Sequence, residues 1–326
     1  MLALTLAVGA AGCGENIELE ESYDLYQTTK QFDIQVEKKE NDDAKKEEKE
    51  PVSFFGEQLC VGGNENTTDE GVTQTLSYAA GLFDLSGHEI PYARNIHERV
   101  YPASTTKILT AYVALKYGDL NATATVSENA LILEEGSTVS GLSPGDQITL
   151  EQLLYGLILC SGNDAANVIA EMISGNTEEF AKLMNQEARA LGATNSNFTN
   201  AHGLPDEQHY TSVYDLYLIF QAALKEENFR KLIETKEYTA EFTNSQGETV
   251  TRQWETTNLY LKGEKEIPEG IHVVGGKTGT TNDAGNCLVL YSENTSSKPY
   301  ISIVMKANSK DELYQQMTEL LKKIWN

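Results

Sequence analysis

From Leu150 to about Lys236 the apolar residues recur almost wholly at helical spacing, and on either side of that block the pattern changes to strands. LEQLLYGLIL, NDAANVIAEMI, TEEFAKLMNQEARALGA and SVYDLYLIFQAALK are the clearest helical stretches. Before the block, SYAAGLFDLSG and HEIPYARN read as a hairpin about a Ser-Gly turn. After it, EYTAEFT, ETVTRQW, IHVVGGKTG, NCLVLYSE and PYISIVMKA read as strands, and the amphipathic KDELYQQMTELLKKIW follows as a helix. Strands with an apolar face must bury it, and the terminal strands do so most simply by meeting in one sheet. The middle helices then form a second lobe, with a cleft expected between lobe and sheet. The fold class is α+β.

The sequence ahead of this region has a different character. MLALTLAVGAAG is apolar but too short to span a bilayer, and it suits the apolar part of an export signal over residues 1–12. Ala10-Ala11-Gly12-Cys13 resembles a bacterial lipobox, which predicts a lipid on Cys13, although no Lys or Arg precedes the run. Between Glu15 and Glu50 there are thirteen acids against six lysines, so residues 13–70 are expected to be a disordered acidic linker holding residues 71–326 off a membrane. The formal net charge of −24 argues against nucleic acid as a partner, because phosphate neutralisation needs clustered Lys and Arg. The other cysteines, Cys60, Cys160 and Cys287, form no CxxC pair, and the five histidines show no ligand-like grouping. No metal and no cofactor are expected. Cys160 and Cys287 lie in apolar runs and read as buried thiols.

Three short motifs fall where the architecture would bring them together. Ser104-Thr105-Thr106-Lys107 opens the helix STTKILTAYVALKYG, and residues three apart share a helix face, so the Lys107 amine can reach the Ser104 hydroxyl. The start of a helix also offers unpaired N–H groups to a developing oxyanion. Alone this is weak, since a Ser and a Lys three apart occur by chance about once in such a length. Ser161-Gly162-Asn163 lies between two helices of the middle lobe, where Ser161 or Asn163 would serve as a cap. Lys277-Thr278-Gly279, with Thr280 after it, ends a strand expected to be internal to the sheet. A lysine flanked there by glycines that let a ligand backbone approach is hard to explain structurally.

In this order the three sets match the S-x-x-K, S-x-N and K-T-G signature of penicillin-binding proteins and class A β-lactamases. With glycine at 162 the chain resembles the low-molecular-weight serine D-alanyl-D-alanine carboxypeptidases. The likeness extends through YPASTTK at 101–107, SGNDAA at 161–166, TNAHGL at 199–204, Asp215, and GKTGTT at 276–281 with Ala284-Gly285. It runs from about Leu76 to Asn326. The resemblance implies a five-stranded antiparallel sheet flanked by N- and C-terminal helices, with an inserted all-α lobe. It implies an acyl-enzyme on Ser104, with Lys107 as base and Ser161 passing a proton to the departing D-alanine. Asn163 would orient Lys107 and bind the substrate amide. Backbone N–H groups of Ser104 and Thr280 would form the oxyanion hole, and Lys277, Thr278, Gly279 and Thr280 would hold the substrate and its terminal carboxylate. The partners implied are peptidoglycan stem peptides and β-lactam antibiotics, at the outer side of a membrane.

Two departures narrow the reading. Class A β-lactamases carry a deacylating Glu about three dozen residues past the middle motif, and here that stretch is NSNFTNAHGL, without an acid. Many family members place an Arg after the last core strand, where KANSKDELY offers only Lys306 and Lys310. Many also carry a β-rich domain and a C-terminal anchor, neither of which is expected in this sequence. His202 is expected to serve loop architecture. A non-catalytic receptor for β-lactams or muropeptides competes with the enzyme reading, as does esterase or glutaminase chemistry on the same Ser/Lys scaffold.

Overall fold

The computed structural model describes residue 56 and residues 58–67 and 76–324. The expected signal, Cys13 and the acidic stretch lie outside the described residues. The chain begins with the hairpin β1 (Ser77–Asp84) and β2 (Glu89–Arg94). Asp84 Oδ1 closes its turn by accepting the N–H groups of Ser86 and Gly87 at 2.8 and 2.9 Å. The helical block follows: α1 (Lys107–Tyr117), α2 (Leu150–Ile158), α3 (Asn163–Ser174), α4 (Thr177–Ala190), α5 (Val213–Ala223) and α6 (Glu227–Glu234). Two short strands, β3 (Thr123–Thr125) and β4 (Gln147–Thr149), interrupt it between α1 and α2. The chain then returns through β5 (Glu237–Thr243), β6 (Thr249–Glu255), β7 (His272–Thr281), β8 (Gly285–Glu293) and β9 (Pro299–Ala307) to α7 (Lys310–Lys323).

The terminal strands meet in one antiparallel sheet of order β2-β1-β9-β8-β7. Its two faces follow from the period of two along each strand. Ala79 and Phe83 of β1, with Ile301, Ile303 and Met305 of β9, face the helical lobe. Ala80 and Leu82 of β1, with Leu288, Leu290 and Val304, face α7, where Leu313, Met317, Leu320 and Leu321 cover them. On the lobe side Phe83 stacks on Tyr217 of α5, with ring centroids 4.1 Å apart and planes 7° from parallel. The five-stranded sheet, its flanking helices and the inserted lobe are as expected. The lobe additionally carries a small sheet, β3-β4-β5-β6, which takes up EYTAEFT and ETVTRQW.

Local sequence sets the helix ends. Thr149 and Gln152 form a capping box at α2, and Asn176, Ser212 and Ser309 cap α4, α5 and α7 by accepting from the third residue on. Gly175 ends α3 in the left-handed conformation. At α3 the expectation of a capping Ser161 or Asn163 fails. Gly162 is the N-cap without a side-chain bond, and the Asn163 N–H donates instead to Thr138 O at 2.8 Å.

Two further expectations are corrected. The Lys277 strand, β7, is the edge of the sheet and not internal. The linker also ends earlier than residue 70. Cys60 is fully buried, its N–H donates to the Tyr217 hydroxyl at 2.9 Å, and the Tyr214 hydroxyl donates to its carbonyl at 2.9 Å. Thr67 extends the pairing beyond β2 by exchanging bonds with Ala93. The acid-rich composition gives way to VGGNENTT here, and the neutral backbone is free to pair.

Phe83 fills the joint between sheet and lobe. Phe83→Ala is expected to lose about 3–5 kcal/mol of unfolding free energy by urea titration, from lost transfer energy plus the cavity left behind.

Candidate active site

The Ser104 turn is tighter than an α-helical start. Residues Ala103–Thr106 form a 3₁₀ turn leading into α1, entered through Ala103 at φ +48°. In a 3₁₀ turn side chains three apart eclipse one another, whereas in an α-helix they are only neighbours. The Lys107 Nζ accordingly stands 2.9 Å from Ser104 Oγ. Its other partners are Asn163 Oδ1 at 2.7 Å and the His202 carbonyl at 2.7 Å.

This set of partners decides what Lys107 can do. The side chain is fully buried, and burial lowers its pKa well below the ordinary lysine value, with the charge of Lys277 adding to the effect. As a neutral amine it has two hydrogens and one lone pair. Asn163 Oδ1 and His202 O can only accept, so they take the two hydrogens. The lone pair is left facing Ser104 Oγ. The arrangement can remove a proton from that hydroxyl.

Lys277 forms a second buried amine, 1% exposed. Its Nζ donates to Ser161 Oγ at 3.0 Å and to Thr278 O at 2.9 Å. Burial brings its pKa down to about 7. Ser161 reaches it from a strained position, φ +63°, in the loop between α2 and α3. The Thr278 hydroxyl lies 2.5 Å from that of Thr257. Gly279 passes directly behind the Ser104 turn: a Cβ there would stand 3.0 Å from Ser104 N and 3.1 Å from Pro102 O. The glycine therefore permits the strand to bring Thr280 beside Ser104. Ser104, Lys107, Ser161, Asn163, Lys277, Thr278, Gly279 and Thr280 are thus brought to one cleft.

Two cavities open from Ser104 and Thr280. One, of about 220 Å³, is lined by Ser161, Thr257, Thr278 and Lys310; the other, of about 430 Å³, by Asn163, His202, Thr281 and Asp283. Of the two lysines in KANSKDELY, Lys310, the first residue of α7, faces the first cavity. Lys306 lies over the Tyr78 ring, 5.2 Å from its centroid.

With this geometry in hand, the sequence model of the D-alanyl-D-alanine carboxypeptidase family matches residues 66–309. The chain belongs to that family. It is 34% identical over 247 residues to D-alanyl-D-alanine carboxypeptidase DacF of Bacillus subtilis, covering 74% of this chain and 60% of that protein. It is 37% identical over 222 residues to DacB2 of Mycobacterium tuberculosis, covering 68% and 70%. The solved DD-transpeptidase of Streptomyces K15 superposes with a TM-score of 0.71 at 28% identity, over 76% of this chain and 97% of that one. The chain therefore spans about 60% of the length of DacF.

Several residues outside the three motifs hold this carboxypeptidase-family site through contacts that the sequence does not show. Gly203 sits at φ +91° against the Ser104 turn, where a Cβ would stand 1.8 Å from Ala103 O. Its neighbour His202 contributes only its carbonyl to Lys107. Burial, with the Lys107 charge, holds the His202 imidazole down to about 3, so it stays neutral. His209 accepts the Thr199 N–H at Nδ1, 3.1 Å, which leaves Nε2–H for Thr106 Oγ1 at 2.9 Å. Asp164 accepts the N–H groups of Ser140, Gly141 and Leu142 at 2.7, 2.9 and 3.1 Å, and the Ser140 hydroxyl at 2.8 Å. None of the three cysteines among the described residues is bridged. Burial pushes the Cys160 thiol up to about 11 and Cys287 up to about 12, so neither is a nucleophile at neutral pH.

The buried Lys277 amine is expected to cost stability. Its folded pKa lies below the unfolded value of about 10.4, so the unfolded chain binds the proton more tightly between pH 7 and 10. Wild-type stability contributed by this group therefore rises with pH across that window. Lys277→Met is expected to be more stable at pH 7 by about 1–4 kcal/mol. Urea unfolding should show that advantage shrinking toward pH 10.

Proposed function

We propose that the chain is a serine D-alanyl-D-alanine carboxypeptidase that removes the terminal D-alanine from peptidoglycan stem peptides through an ester on Ser104. The observation that carries the proposal is the placement of the buried Lys107 Nζ, 2.9 Å from Ser104 Oγ with two groups that can only accept as its other partners. Lys107 takes the Ser104 proton as Oγ attacks the carbonyl of the penultimate D-alanine. The backbone N–H groups of Ser104 and Thr280 receive the developing oxyanion, a contribution often larger than any other. The C–N bond then breaks as Ser161 passes its hydroxyl proton to the departing amine and takes in exchange the proton that Lys107 removed, with Lys277 holding the Ser161 hydroxyl in place. Lys107, neutral again, takes a proton from water as the water oxygen attacks the ester carbonyl, and gives that proton to Ser104 Oγ as the C–O bond breaks.

The edge position of β7 supports the substrate class. An edge strand presents unpaired backbone groups, so an extended peptide can lie along Thr280 as an added strand. Its terminal carboxylate would meet Lys277, Thr278 and Lys310. Lys310 then stands where many relatives use an Arg. β-Lactams would acylate Ser104 by the same attack, and the stretch NSNFTNAHGL offers no acid to release them. The site would work outside the cytoplasmic membrane, with the protein held there by a lipid on Cys13. Among the described residues no helix is long and apolar enough to cross a membrane.

A D-alanyl-D-alanine pentapeptide is expected to release D-alanine with the wild-type chain, and Ser104→Ala to reduce release by at least about a thousandfold. Release that survives the substitution would sink the assignment. Stable penicillin labelling of Ser104 without peptide turnover would favour a receptor. Lys310→Ala is expected to raise KM for the peptide about threefold to tenfold with kcat little changed, in line with one partly exposed ion pair. Lys306→Ala should leave KM unaltered in the same steady-state assay.

A further inference from the structure

Among the described residues, three line both cavities at Ser104: Ser104 itself, Thr280 and Thr138. The first two belong to the motifs and have tasks in the chemistry above. Thr138 belongs to no motif. It lies in the connection between β3 and β4, and its side chain is exposed at the place where the two cavities meet.

The backbone that carries Thr138 is fixed from two sides. Thr138 O accepts the Asn163 N–H at 2.8 Å, and Asp164, 1% exposed, takes the N–H groups of Ser140, Gly141 and Leu142 at 2.7, 2.9 and 3.1 Å. From the small sheet, the Trp254 indole N–H donates to Ser140 O at 2.9 Å and Arg252 Nε to Gly141 O at 3.1 Å. Gly162 lets the two sides close: a Cβ there would stand 2.8 Å from Ser140 Cβ and 2.9 Å from Ser140 N. Moving this segment aside would leave a buried carboxylate and several backbone groups unpaired, which is costly. The wall at Thr138 therefore cannot give way as a free loop tip would.

We propose that Thr138 sets the size limit on the side chain of the penultimate substrate residue, admitting the methyl group of D-alanine and disfavouring longer chains. The inference rests on the carboxypeptidase reading. In that reaction the penultimate carbonyl carbon bonds to Ser104 Oγ, and its oxygen turns to the N–H groups of Ser104 and Thr280. The departing D-alanine lies toward Lys310, and the rest of the acyl chain runs past Asn163 into the other cavity. The penultimate Cα is about 1.5 Å from the reacting carbon, and its side chain begins roughly 2.5 Å from it. That side chain is thereby confined to the junction of the two cavities. Ser104 and Thr280 are engaged there with the carbonyl, so Thr138 is the wall it meets. Volume is what this task needs, and the hydroxyl is not required.

The test uses the full chain and acyl-D-Ala-D-Ala, alongside the same peptide with D-2-aminobutyrate at the penultimate position, and follows release of D-alanine. For the wild type, kcat/KM is expected to fall about tenfold to a hundredfold with the added methylene. Thr138→Gly should bring the two peptides within about threefold of each other. Thr138→Ser, which adds no backbone freedom, should give an intermediate ratio, and Thr138→Val, equal in shape, should keep the wild-type ratio. Each variant is compared with itself on two peptides, so a loss of folded protein cancels. Equal turnover of both peptides by the wild type, a ratio that Thr138→Gly leaves in place, or selectivity lost in Thr138→Val overturns this inference alone. Release of D-alanine from neither peptide by the wild type overturns the carboxypeptidase reading and this one with it.

Discussion

Lys107 and Lys277 are fully buried amines with no carboxylate partner among the described residues, and the organisation of the cleft follows from that constraint. A buried ammonium without a counter-charge is expensive, so each group sheds its proton more readily than a surface lysine does. The protein neither relieves the strain with an acid nor fills the space with apolar atoms. It surrounds Lys107 with two neutral acceptors and a serine, and Lys277 with a serine and a carbonyl. Each amine is thereby left next to a hydroxyl. Stability is given up at these two positions, and groups whose pKa is shifted by burial in this way cluster at functional sites.

Holding these amines in register requires several elements, because the groups come from distant parts of the chain. The loop at 199–209 fixes the Ser104 turn from one side, through Gly203 against Ala103, His202 O on Lys107, and His209 on Thr106. The Thr110 hydroxyl adds a bond to Ala201 O at 2.6 Å. The small sheet acts on the other wall, where the Trp254 indole N–H donates to Ser140 O at 2.9 Å. Ser140 in turn bonds Asp164. Strand β6 and helix α3 thus share a single loop, and the Ser161 turn cannot relax without disturbing both. The left-handed backbone at Ser161 persists because its surroundings over-determine it.

The motif residues were legible because their chemistry lies in side chains of fixed spacing. Ser104 and Lys107 alone were a weak signal, and it was their order with Ser161 and Lys277 in three motifs that made the set legible. The order of strand, helix and strand also announced the sheet and the lobe. Other features left no such trace. His202 acts on Lys107 through a backbone carbonyl, which any residue would supply, so its side chain misdirects attention. The edge position of β7 could not be read from GGKTGTT, since pairing depends on which strands return beside it. Gly275 and Gly276 look like marks of ligand approach, yet a Cβ at Gly276 would stand 1.9 Å from Val289 O of the neighbouring strand. The residue-70 boundary failed for a related reason. Composition registers the acidic run but not the backbone pairing of Thr67 with Ala93.

An edge strand and a pair of unlike cavities together give the cleft a direction. Backbone pairing along β7 is tolerant of side chains and would accept an extended peptide in either sense. Charge removes that ambiguity. Lys310 stands at one end, whereas Glu134, Glu135 and Asp283 stand at the other with no Lys or Arg among the lining residues. A peptide with a free terminal carboxylate fits with that end toward Lys310 and is disfavoured in the reverse. Like charges brought together disfavour the wrong arrangement, and attraction favours the right one. The strongly acidic chain, at −24, makes the exception at the carboxylate end more telling. A positive spot in a negative surround focuses an anion onto one place, the Lys310 side of Ser104.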